Sequence, residues 1–194
     1  TANGVTTYYG SMHEATSEIE SCTAADNAEL KLLDNYDQYI SISGGVFTLN
    51  LNNKTVHVER EQSCALEMMD GTVTVTGGTL SSSRRAVDIW GGTLNIVDAV
   101  ITTTKVHEAS RTLNVKSGST LNVYSGTITG KVKGIKVSGG TVNIFGGVVH
   151  SEGSRKSGAV YIEDGVVNIS GGNFYNASEY NSGALYAANG EANI

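Results

Sequence analysis

A six-residue phrase returns through most of the chain and leaves few ways for it to fold. It reads Gly-Gly-Val-Phe-Thr-Leu at 44–49, Asp-Gly-Thr-Val-Thr-Val at 70–75, Gly-Gly-Thr-Leu-Asn-Ile at 91–96 and Gly-Ser-Thr-Leu-Asn-Val at 118–123. Gly-Gly-Thr-Val-Asn-Ile at 139–144, Asp-Gly-Val-Val-Asn-Ile at 164–169 and Asn-Gly-Glu-Ala-Asn-Ile at 189–194 continue it. The penultimate residues are Thr48, Thr74, Asn95, Asn122, Asn143, Asn168 and Asn193, at steps of 21 to 27. A period of this length marks a solenoid, in which one unit cannot bury its own apolar face and must stack on the next.

Inside each phrase apolar residues alternate with Thr or Asn, the period of a strand with one buried face. A second short strand follows at a fixed offset, marked by Leu80, Ile101, Ile128, Val149 and Phe174. A third precedes the next phrase, marked by Leu66/Met68, Val87/Ile89, Leu113/Val115, Ile135/Val137, Val160/Ile162 and Leu185/Ala187. Three short strands per repeat predict an all-β, right-handed parallel β-helix of about seven rungs, with rungs about 4.8 Å apart. Gly45, Gly71, Gly92, Gly140, Gly165 and Gly190 are expected at the turn into the first strand, where a positive φ suits glycine. The chain has no proline, as a stack in which every strand donates its N–H groups requires.

The first 27 residues break the pattern. Ser11 and Glu14 read as a capping box, and Met12, Ala15, Ile19 and Cys22 share one helical face. The expected organisation is a cap with a short amphipathic helix over 1–27 and a β-helix over 28–194. Residues 28–42 read as one or two strands leading into the first rung. Ile194 stops in mid-phrase, which predicts a segment of a longer solenoid. A net charge of −6 argues against nucleic-acid binding, and no apolar run is long enough for membrane insertion.

The GGTLNI and GGTVNI phrases, the AVYI run and the preceding LKLLDNYDQYISISGGVFTLNLNNKTV resemble right-handed parallel β-helix domains of the pectate-lyase-like architecture. More narrowly, they resemble repeat segments of secreted or surface-anchored bacterial proteins. The resemblance covers about residues 28–194. It implies an extracellular or cell-surface stalk, adhesin or carbohydrate-binding unit with further domains in the same chain, and a polysaccharide or cell-surface glycan as partner. The same architecture also houses polysaccharide lyases and glycoside hydrolases, so fold alone does not carry function.

Repeat length varies between the second and third strands, so long excursions emerge on one edge of the rod. They carry Lys105, His107, Glu108 and Arg111, then His150, Glu152, Arg155 and Lys156, then Tyr175, Asn176, Glu179, Tyr180 and Asn181. Loops on a rigid scaffold commonly hold recognition residues, and aromatic rings beside Arg, Lys and amides suit sugars. The candidate ligand-binding set is therefore His107, Arg111, His150, Arg155, Lys156, Tyr175, Asn176, Glu179, Tyr180 and Asn181. The expected function is a non-catalytic, adhesin-like or carbohydrate-binding stalk module.

An enzyme would need paired acids. Glu67 and Asp88 with Arg84 and Arg85, or Glu59, Arg60 and Glu61, are the nearest groupings, and surface ion pairs are the plainer reading; no catalytic residue is assigned. A lyase of the pectate type would hold Ca²⁺ through such acids; the histidines show no metal-ligand spacing, and no resident cofactor is expected. The outward columns Thr72, Thr93, Thr120, Thr141 and Thr74, Asn95, Asn122, Asn143, Asn168, Asn193 form a flat array of the kind ice-binding solenoids use, or else a structural ladder. Cys22 and Cys64 are candidates for a disulfide pinning the cap, or two buried thiols.

Overall fold

The computed structural model describes residues 1–60, 63–153, 158–177 and 183–194. Among these, 17 strands form one continuous sheet wound into a parallel β-solenoid of about six turns. Three faces wrap a single core. The first face stacks the phrase strands in strict register: Phe47 pairs with Val73, then Leu94, Leu121, Val142, Val167 and Ala192. Val56, Leu80, Ile101, Ile128, Val149 and Phe174 form the matching column of the second face. Ile40, Leu66, Val87, Leu113, Ile135, Val160 and Leu185 form that of the third.

The inward ladders are dry: Leu80, Leu94, Leu121, Ile135 and Val160 are all 0% exposed. Each branched side chain rests on those one turn above and below. Truncation at such a site, Leu121→Ala for example, costs about 2–5 kcal/mol through lost transfer energy and the cavity left behind.

Residues 28–42 do more than lead in. Ala28–Lys31 pairs with Val46–Asn50, Tyr36 bridges to Val56, and Ile40–Ile42 pairs with Leu66–Met68. They make a turn of the solenoid whose phrase has lost its glycine, so the repeat conceals it. The cap covers this turn. Ser11 Oγ accepts from Glu14 N at 3.2 Å and starts the helix Met12–Ile19. Ala15 and Ile19 enter the core, with Met12 and Cys22 packed against its margin. Thr1 exchanges two 2.7 Å bonds with the backbone of Glu29 and occupies the free edge of the first strand. An exposed edge would otherwise be a template for another chain.

The expected glycine column is present, with one local shift. At Gly71 φ is +96°, and an added Cβ would come 2.6 Å from the carbonyl oxygen of Gly45 below. Near Gly140 the positive φ moves to Gly139, because the strand bulges between Ser138 and Thr141; Gly190 has no positive φ.

Candidate functional site

The excursion between Thr103 and Leu113 is held rigidly against the rod. Thr104 and Lys105 donate their N–H groups to the carbonyls of Ser82 and Ser83, both at 2.9 Å. The hydroxyls of Thr103 and Thr112 meet at 3.1 Å and close its base. Lys105 Nζ reaches Glu59 at 2.7 Å, and the Glu59 carboxylate also faces His57 Nε2 at 3.1 Å. His107 works inside the loop: its carbonyl accepts from Ser110 N and its Nδ1 from Ala109 N. The candidate His107 thus makes these bonds within its own loop.

This loop borders the outward side of the third face, and between them lies a half-open cavity of about 430 Å³. Glu108, Ala109, Arg111, Lys133, Lys136, Tyr161 and Glu163 line it. Lys136 and Tyr161 are register partners on adjacent strands, and Tyr186 continues the column. Tyr161 and Tyr186 stack with centroids 5.0 Å apart. Lys133 Nζ lies 5.1 Å from the centre of the Tyr161 ring and donates to the Glu108 carbonyl at 3.3 Å. Arg111 Nη1 donates to Ala109 O at 3.1 Å, while its Nε is buried without a hydrogen-bond partner. Lys136 pairs with Glu163 at 2.9 Å, and Ser138 Oγ donates to the same carboxylate.

The electrostatics follow from this crowding of cations. Burial, then the neighbouring Lys136 and Arg111, push the Lys133 ammonium below the usual lysine value. Burial also pulls Arg111 down, although a guanidinium stays charged in proteins. The hydrogen bond from Lys136 leads the effects that hold Glu163 below the usual carboxylate range. Burial raises the Tyr161 phenol.

Of the candidate ligand residues that are described, Arg111 alone lines this cavity. His150 and Tyr175 lie on the second face, their rings stacked at 4.1 Å. Asn176 Oδ1 accepts from Ser151 Oγ at 2.7 Å, which ties that residue to the strand below. Arg155, Lys156, Glu179, Tyr180 and Asn181 lie outside the described residues. The sequence reading missed Lys133, Lys136, Tyr161 and Glu163. Lys136 and Tyr161 were detectable, since each stands between two inward residues of a third strand and must face outward.

Other sequence candidates resolve differently. Asp88 is not a solvated surface acid: it is 1% exposed and receives Arg85 Nη1 at 2.6 Å. Glu67 accepts from Trp90 Nε1 at 3.1 Å. Cys22 and Cys64 are free thiols, so the candidate disulfide is not formed. Three buried residues in a row, Cys64, Ala65 and Leu66, break the alternation; Cys64 lies outside the core cluster, near Asp88 and Glu67, while Cys22 packs against the core's margin. Among the described residues no three His, Cys, Asp or Glu side chains gather to hold a metal ion, and no helix is long and apolar enough to cross a membrane.

The Asn column is a ladder. Nδ2 of Asn122, Asn143 and Asn168 each donates at 2.8 Å to Oδ1 of the Asn one turn earlier. A larger cavity of about 980 Å³ lies between the N-terminal segment and the first turn, walled largely by the cap itself. Comparison with protein-family models, curated proteins and solved structures returned no match.

Proposed function

We propose that the chain is a non-catalytic carbohydrate-binding module, a rigid stalk segment of an exported or surface-displayed bacterial protein. Its ligand is a polysaccharide or cell-surface glycan. One observation carries the reading: Tyr161, braced by Tyr186, borders a 430 Å³ cavity whose other walls are charged hydrogen-bonding side chains. A volume near 400 Å³ falls in the range of small-ligand pockets, and the mostly charged lining suits a polar ligand. An aromatic wall offers an apolar face to the C–H groups of a sugar ring, and the surrounding donors and acceptors suit its hydroxyls. Strands and a tethered loop fix these groups in place, so little ordering entropy is lost on binding.

The non-catalytic part rests on Glu163. A glycosidase acid needs a raised pKa to carry its proton at neutral pH. Glu163 is shifted the other way by the hydrogen bond from Lys136, which disfavours it as that proton donor. A polysaccharide panel, with retention and product release followed together, tests the proposal. Retention lost in Tyr161→Ala and kept in Tyr161→Phe is the expected result. Turnover of any polymer would favour the lyase or hydrolase alternative.

An ice-binding reading is supported by one separate feature, the in-register outward column Thr72, Thr93, Thr120 and Thr141. Thermal hysteresis abolished by Thr120→Tyr would establish it.

A further inference from the structure

We infer that the cavity under the 104–112 loop is built for one anionic oxygen group of its ligand, a carboxylate or a sulfate ester, gripped between Arg111 and Lys133. The anion site itself stands on charge and geometry; that a sugar carries the anion rests on the glycan-binding reading above.

Three cations and two carboxylates line the cavity, but the pairing is uneven. Lys136 is matched by Glu163 at 2.9 Å. Among the described residues Lys133 has no carboxylate within ion-pair distance: its ammonium meets the Glu108 backbone carbonyl and the Tyr161 ring, leaving N–H groups to spare. Arg111 spends Nη1 on the Ala109 carbonyl and keeps a buried Nε–H without an acceptor. Both cations are half-buried and only partly matched by the nearby carboxylates of Glu108, Glu163 and Asp88; desolvated charge short of acceptors is costly, and an anion placed between them reduces that cost.

The chemistry of the lining suits a flat or tetrahedral oxyanion. A guanidinium offers parallel N–H donors that match two oxygens of one carboxylate or sulfate, and such bonds are about twice as strong as neutral ones. Lys133 adds a point charge from the neighbouring turn. Tyr161 then borders the rest of the ligand.

The test uses the intact chain with its lysines ¹³C-dimethylated, the Lys133 signal being assigned by its loss in Lys133→Arg. Galacturonate, sodium sulfate and neutral galactose are titrated separately. The expected result is that galacturonate or sulfate shifts the Lys133 signal and moves its titration midpoint upward, while galactose does not. Arg111→Gln should weaken the response at least tenfold, with its melting temperature confirming a folded chain. A response to sulfate alone assigns a sulfate ester, and one to galacturonate alone assigns a carboxylate. No response to either anion overturns the inference, as does an unchanged response in folded Arg111→Gln. A glycan panel retained equally on neutral and acidic polymers would overturn it while leaving the broader glycan-binding proposal standing.

Discussion

The side-chain amide of Asn143 donates to Oδ1 of Asn122 at 2.8 Å and accepts from Asn168 at the same distance. Each amide thus closes two bonds, one down and one up the stack. Asn143→Ala removes both. At roughly 1 kcal/mol for a typical intramolecular hydrogen bond, less where water competes, the loss is about 1–2 kcal/mol. Chemical denaturation of the variant should show that lowered stability. An unchanged midpoint would mean that the ladder follows from the strand register and adds nothing to it.

The glycine turns separate backbone conformation from crowding. Gly118 has φ of +81° with open space around it, whereas Gly71 has φ of +96° and a Cβ added there would come within 2.6–2.7 Å of the Gly44 and Gly45 backbone. Gly118→Ala should cost about 1–2 kcal/mol, the penalty of a left-handed conformation. Gly71→Ala meets the same penalty and must also displace the turn beneath it, so its cost should exceed about 3 kcal/mol. Equal melting temperatures for the two variants would refute the close-stacking account.

The thiols make a third prediction. Burial, then the negative charges of Asp88 and Glu67, push the Cys64 thiol up to about 12. Thiolate is the reactive form, so native Cys64 should resist thiol reagents at pH 8. Denaturation without reductant should release two reactive thiols per chain. The unfolded thiol ionises near 9 and the folded one near 12, so this group's contribution to stability is present below pH 9 and lost between these values. Finding fewer than two thiols would restore the disulfide.

Much of the architecture was legible because its signals are local and repeated. Alternation placed the inward ladders, fixed offsets gave three strands per turn, and Ser11 announced the helix. The turn at 28–42 was read only as a lead-in, since Ala28 to Leu30 follow no Gly-Gly phrase. The site was less legible. Arg111 could be named from the excursion that carries it, but its neighbours Lys133 and Tyr161 stand 22 and 50 positions further along. Only the parallel register and the direction of the loop bring them together.

A pH effect distinguishes the cavity from an ordinary surface patch. Lys133 titrates lower in the folded chain than its reference value of 10.5. Between those values the folded state holds fewer protons than the unfolded one, so stability rises with pH in that window. The cost of burying the ammonium is full below the folded value and is relieved above it. Lys133→Met should therefore gain stability at neutral pH and flatten this rise, as thermal melts between pH 7 and 10 would show. Retention of an acidic glycan should fall over the same window as the ammonium is lost.

The central claim is that a glycan is held at the loop-covered third face. The most direct measurement is amide chemical-shift mapping with an oligosaccharide selected from the panel. The account predicts perturbations clustered at 108–111, 133–136 and 161–163, absent in Tyr161→Ala. Perturbations along the Thr and Asn columns of the first face instead, or none at saturating ligand, would contradict it.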